Sequence, residues 1–203
     1  YREWIGAQIR ADCFGYVNPG NPYKAAEMAY KDASVTHVRN GVYAEMYVSA
    51  LVSLAPCGMN GVEMIQTAKL QIPPECRLSH ALDELLADLR AGFDYERFVC
   101  KLHQQYDETV WFQWGHAIPN AMIVSAITAC FDGSHSGAIG NAVLTGFDTD
   151  CNAATVGSIV GFRTGEIEPH WLSHFPPVLQ TSIHGYETLT LEELTKRTLA
   201  LMR

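Results

Sequence analysis

Between Gly146 and Gly157 the chain reads GFDTDCNAATVG, and two carboxylates, Asp148 and Asp150, stand two residues apart directly before a run of small and apolar residues. Carboxylate oxygens are hard donors, and a pair at this spacing suits a hard divalent cation. On extended backbone, alternate side chains share one side, so both carboxylates would face the same ligand. Gly146 permits a sharp turn just ahead of them. Asp150 falls where a helix N-cap is expected, and there the backbone amides and the positive end of the helix dipole keep a carboxylate ionised. The same residues also admit a reading without a ligand, in which Asp148 bonds its own turn and Asp150 caps the helix.

Other polar side chains sit in settings that invite chemistry. Asp32, Ser34, Thr36 and His37 interrupt two apolar stretches in DASVTHVRNG, and His37 is either a satisfied core histidine or a ligand contact. In WFQWGHAIPN, residues 111–120, two tryptophans, Gln113, His116 and Asn120 crowd a segment that Gly115 and Pro119 keep from being a plain helix. Such clusters line pockets, or else form an aromatic core whose polar tips bond to backbone. WIGAQIRADCFG reads as a loop entering the core, with Arg10 and Asp12 as an ion pair or as part of a ligand-facing turn. His170 and His174 have zinc-like spacing without the acidic partner of a zinc helix, and read as surface residues.

The elements that must hold these residues are helices. Residues 42–55, VYAEMYVSALVSLA, are apolar almost all round and belong at the centre of a protein. Amphipathic helices are expected over 62–71, 78–91 and 95–106, a buried helix over 121–131, a short one over 134–144 and a small-residue helix over 153–162. In the last of these, Ala154, Gly157, Ser158 and Gly161 leave room for a close neighbour. Thr190 is placed to cap a final helix ahead of Glu193. No strand-like alternation and no repeat is visible, so the class is all-α, and no linker divides residues 1–203, which are expected to form one domain.

Composition narrows the partners. The chain has 203 residues, 48% of them hydrophobic, enough for one sizeable core. A net charge of −8 argues against nucleic acid, whose phosphates demand clustered Lys and Arg. No apolar run is long enough to cross a bilayer and the first residues lack a signal-peptide layout, so a cytoplasmic protein with no membrane partner is expected. The six cysteines, Cys13, Cys57, Cys76, Cys100, Cys130 and Cys151, form no CxxC pair and read as buried, reduced thiols.

Four segments, in order, resemble the ADP-ribosylglycohydrolase family. GFDTDCNAATVGSIVG is similar to its acidic signature, IGAQIRADCFG to the loop that touches ADP-ribose, DASVTHVRNGVYAEMYVSAL to the Thr-His segment and following central helix, and WGHAIPNAMIVSAI to the later His and Asn segment. The resemblance covers nearly the whole chain. It implies a compact, orthogonal multi-helix domain with two Mg²⁺ ions, Mn²⁺ being an acceptable substitute, at the end of a cleft. The implied activity hydrolyses the bond from the anomeric carbon of the terminal ribose of ADP-ribose to Arg, Ser or a small-molecule leaving group.

By this resemblance Asp148 and Asp150 are metal ligands, with Cys151 a further candidate. Gly6, Ala7 and Gln8 line the diphosphate, His37 contacts the substrate near the ribose and phosphates, and His116 and Asn120 complete the substrate-binding set. Cys151 departs from the usual Thr or Ser, and a soft thiol is not what Mg²⁺ favours, so a water or backbone carbonyl would take its place. The family's N-terminal Gly-Asp segment, catalytic Glu and Thr-Asp-Asp ligands have no counterpart here. The domain is therefore expected to be incomplete at its N-terminus, with the general acid or base upstream of Tyr1 or on a companion chain. One alternative is a catalytically inactive remnant that binds ADP-ribose or metal. Another is an aspartate-dependent phosphohydrolase with AVLTGFDTD as a buried strand, a chemistry that needs a parallel sheet this helical chain does not offer.

Overall fold

The computed structural model describes residues 1–131 and 133–202. Among them the chain is all-α apart from one short hairpin, and it divides into two compact units, Tyr1–Gly165 and Glu166–Arg203.

The first unit is built around two apolar helices, α3 (Asn40–Leu54) and α7 (Ala117–Cys130). Both are buried on nearly every side, because neither has a polar stripe to show to water. Tyr47 of α3 and Ser125 of α7 tie them together through a buried 2.7 Å hydrogen bond. Around this pair pack α1 (Asp12–Tyr16), α2 (Pro22–Thr36), α4 (Gly61–Lys69), α5 (Arg77–Arg90), α6 (Tyr95–Gln105), α8 (His135–Thr145) and α9 (Thr149–Thr164). Each aliphatic side chain buried there, Leu51 or Ile123 for example, contributes roughly 1.5–3 kcal/mol.

Local chemistry sets most helix starts. Asn21 accepts from the Lys24 amide at 3.0 Å with Pro22 at the first helical position, and Asn60 and Glu63 form a reciprocal capping box at the head of α4. Asp94 and Ser134 cap α6 and α8 by accepting from the Arg97 and Gly137 amides. Gly15 is needed for packing: a Cβ there would meet Val52 of α3 at 2.5 Å.

Several boundaries differ from the sequence expectation. Helix α2 runs through Asp32 and Ser34 to Thr36, so only His37 to Arg39 break the chain before α3. Residues 4–7 are irregular, as a loop would be, but the rest of that stretch is a short 3-10 turn (Gln8–Arg10) and α1. Helix α9 begins four residues earlier than its small-residue run, and AVLT lies in α8, which removes the strand that a phosphohydrolase reading requires. The small residues of α9 face side chains instead of a backbone, with Gly157 set against Ile139 and Gly161 against His135 of α8. The cysteines form no disulfide among the described residues, as expected, but they are not buried: four are exposed, and Cys76 and Cys151 are half-buried.

The second unit contains α10 (Pro169–Leu172), a hairpin of β1 (Val178–Gln180) and β2 (Thr188–Thr190), and α11 (Leu191–Leu201). Leu179 pairs with Leu189 across the antiparallel ladder. This hairpin was not foreseen, since three-residue strands are too short to show a period. Thr190 caps α11 by accepting from the Glu193 amide at 3.1 Å, as its position suggested. His170 and His174 are exposed. No helix among the described residues is long and apolar enough to cross a membrane.

Candidate metal and substrate site

Asp148 occupies the N-cap position of α9 and Asp150 its first turn, so the expected roles are displaced by two residues. The backbone bends there instead of running extended, yet one ligand atom from each of Asp148, Asp150 and Cys151 lies within 4.8 Å of the others. Asp148 is buried, Asp150 exposed and Cys151 half-buried. Burial pushes the Asp148 carboxyl up, the neighbouring Cys151 thiol and amide oppose this, and the Asp150 charge adds to the rise. Two carboxylates pressed together with one of them desolvated are relieved by a cation. Their oxygens fit a hard divalent ion. Cys151 does not: burial and the two aspartates push its thiol up to about 12, which leaves it a protonated neighbour of Asp148.

The segment ahead of Asp148 is held residue by residue. Gly146 has φ 89° and Phe147 φ 60°, a left-handed conformation that costs a side-chain-bearing residue about 1–3 kcal/mol. The Phe147 amide donates to Glu108 Oε2 at 2.7 Å, and a Cβ on Gly146 would meet the same oxygen at 2.5 Å. His103 Nε2 lies 2.7 Å from the Thr145 carbonyl, and its ring packs on Phe147 with centroids 5.0 Å apart. The Asp148 amide donates to Asn120 Oδ1 at 3.2 Å.

Asn120 is the hub that joins this segment to the rest. It is fully buried; its amide group donates to the carbonyls of Trp114 at 2.9 Å and His116 at 2.8 Å, and its oxygen also accepts from Asn152 of α9 at 2.7 Å. Every donor and acceptor of the side chain is thus committed inside the protein, which makes it a frame for the site with no surface toward a ligand. The 114–117 backbone in turn pairs with the N-terminal segment, Ile5 N–H to Gly115 O at 2.7 Å and Ala117 N–H to Glu3 O at 3.0 Å. Hydrogen bonds therefore run without a break from the segment just before Gly6 to Asp148.

In the Gly6–Gln8 turn, the amides of Gly6 and Ala7 donate no backbone hydrogen bond among the described residues, although Ala7 is buried. The Gln8 side chain is buried with Oε1 unpaired. His37 stands beside the turn, its Nε2 3.4 Å from where a Cβ of Gly6 would be and its Nδ1 2.8 Å from Thr36 Oγ1. Burial and the Arg10 charge lower its pKa, so the ring is neutral near pH 7. His116 is spent differently: its Nδ1 accepts from the Ile118 amide at 3.2 Å, and the residue lines a cavity of about 430 Å³ with Arg77, Tyr106 and Phe112. No residue of the acidic stretch lines that cavity.

Arg10 does not pair with Asp12. Its guanidinium bonds Asp32, donates to the Gly6 carbonyl at 2.8 Å and to Thr36 Oγ1 at 2.9 Å, and lies 3.9 Å from Glu45. Asp12 is instead turned toward Ser158 of α9, and burial raises it to about 6. Glu45, at 0% side-chain exposure and with neither oxygen hydrogen-bonded, is raised to about 8 by burial and then by Asp32, against the pull of Arg10. Sequence reading passed over Glu45 because one acidic residue in an apolar helix gives no periodic signal.

Glu45 makes the stability of the fold depend on pH. Its ordinary value is 4.5, so between pH 4.5 and about 8 the folded state keeps a proton that the unfolded state has lost. Folding stability on this account falls as pH rises through that window and is highest below it. Glu45→Gln is expected to flatten the slope above about pH 6, where Asp12 no longer contributes, and to melt above the native protein at pH 8. Parallel melting curves for the two proteins across that range would assign the burden elsewhere.

Compared with known proteins, the chain is matched over residues 3–203 by a family model described as ADP-ribosylglycohydrolase. No curated protein and no solved structure matches it.

Proposed function

The chain belongs to the ADP-ribosylglycohydrolase family, and on that premise we propose that it is a magnesium-dependent hydrolase that cleaves the glycosidic bond between ADP-ribose and a protein side chain or small-molecule leaving group. The observation that carries this reading is the cluster of Asp148 and Asp150 at the head of α9, joined by continuous hydrogen bonding to the turn that carries unpaired amides at Gly6 and Ala7.

Asp148 and Asp150 supply carboxylate oxygens to Mg²⁺, with Mn²⁺ as the substitute. When bound, the cation supplies charge stabilisation and orients the ribose and the attacking water. The amides of Gly6 and Ala7 donate to diphosphate oxygens, as successive backbone N–H groups in a turn can. His37, neutral and beside Gly6, presents Nε2 to the ribose-phosphate. Asn120 does not touch the substrate; it fixes the backbone of Trp114, His116 and Asp148.

The test is release of free ADP-ribose from ADP-ribosylated arginine, ADP-ribosylated serine and small-molecule conjugates, assayed in parallel with Mg²⁺ and with chelator. Release in at least one arm, abolished by chelation and restored by Mg²⁺, is expected. Absence of release in every arm would refute the hydrolase, and release indifferent to chelator would refute the metal.

A further inference from the structure

The conformation of Gly146–Asp148 is imposed from outside the acidic segment. Phe147 is a side-chain-bearing residue in the left-handed region, a state that its own sequence does not favour and that persists only under external constraint. Constraints come from Glu108, which accepts from the Phe147 amide at 2.7 Å and fills the space a Cβ on Gly146 would need, and from His103, which bonds the Thr145 carbonyl and packs against the Phe147 ring. Glu108 and His103 also face one another, with Nδ1 and Oε1 3.9 Å apart. Neither residue is among the groups that could hold the ion.

We infer that Glu108 and His103 form a clamp that sets the turn at Gly146–Phe147 and thereby aims Asp148 and Asp150 at a common point, making them positioning residues for metal binding. The inference rests on the reading of the two aspartates as ligands. The clamp works through geometry: a carboxylate oxygen at the Phe147 amide holds the backbone in a turn it would otherwise leave, and Asp148 follows directly. Were the turn to relax toward negative φ, the Asp148 carboxylate would swing away from Asp150 while α9 itself, anchored by Asn120 and by packing on α8, stayed in place.

Three variants of the whole protein separate this from a charge effect and from a general loss of fold. Calorimetric titration with Mg²⁺ alone is expected to show Glu108→Ala binding about 10–100-fold more weakly than the native protein, the range for losing a residue that orients a metal ligand. Glu108→Gln, whose amide oxygen still accepts from the Phe147 amide, should recover affinity to within a few-fold despite the lost charge. In the absence of metal, exchange of the Phe147 amide hydrogen should be at least about tenfold faster in Glu108→Ala than in the native protein or Glu108→Gln, since a lost hydrogen bond opens that amide to solvent. His103→Ala should show the same two changes in smaller measure. Unchanged Mg²⁺ affinity in Glu108→Ala would overturn the clamp, and so would a Glu108→Gln variant as weak as Glu108→Ala, because the charge would then be the cause. If the native protein and Asp148→Asn take up no Mg²⁺ at all, the ligand reading fails; the clamp is then decided by amide exchange alone, faster exchange in Glu108→Ala supporting it and unchanged exchange overturning it.

Discussion

Asp148→Asn is expected to lower Mg²⁺ affinity by more than about 100-fold, beyond the range for a residue that only orients a ligand, and to abolish release of ADP-ribose. The substitution preserves the shape of the side chain, and the Asp148 amide keeps its bond to Asn120, so the start of α9 should persist. It also removes one of two carboxylates crowded against each other, the buried one, so the metal-free variant should be at least as stable as the native protein. The two proteins should therefore diverge only when metal is added. At a Mg²⁺ concentration 100 times its dissociation constant the native protein should gain about 2.7 kcal/mol, read as a rise in melting temperature, and the variant less than about 0.4 kcal/mol. Equal thermal shifts in both would remove Asp148 from the metal site.

Asn120→Ala should have the largest effect on folding. The fully buried side chain serves four partners: two carbonyls in the 114–116 backbone, the Asp148 amide and the Asn152 amide group. Truncation leaves buried donors and acceptors unpaired and opens a small cavity. A buried polar group stranded in this way costs about 1–3 kcal/mol, and relaxation of the neighbours keeps the sum below four times that, so a loss of about 3–5 kcal/mol is expected. For a chain of this size that is a fall of roughly 6–20 °C in melting temperature. Asn120→Asp should be nearly as damaging, since a carboxylate cannot donate to the two carbonyls. A fall of only a degree or two in both variants would mean that the hub is solvated.

Much of the scaffold could be read from local chemistry. Thr190 announces the start of the final helix and the structure keeps it, because a cap acts within four residues of chain; Asn21, Asn60 with Glu63 and Asp94 act over the same short range. The all-apolar character of residues 42–55 places α3 at the centre for an equally direct reason: a helix with no polar face has nowhere else to go. The family was legible because four short segments occur in a fixed order, and the family match over residues 3–203 agrees with it.

What escaped reading lies in long-range pairings. Arg10 was matched to its sequence neighbour Asp12, whereas the fold brings it Asp32 from α2 and Glu45 from α3 and buries Asp12 toward Ser158. Asp150 was given the cap that Asp148 occupies, because the displacement arises from the turn at Phe147, and that turn is made by Glu108 from 39 residues away. Asn120 stood out among possible substrate contacts by its company of Trp and His, yet it is consumed by four internal bonds whose partners lie on two separate segments, 114–116 and 148–152.

The amino-acid sequence by itself therefore determined the helical class and the central helices, and it marked Asp148 and Asp150 as candidates for a cation, since these depend on side-chain polarity and on contacts within a turn or two. Only the tertiary structure decided which carboxylates are stripped of water, which arginine faces which acid, and how Gly146–Asp148 is bent. Those properties depend on distances between residues tens of positions apart, and a backbone conformation that a residue would not choose alone can be recognised only once the groups that compel it are in view.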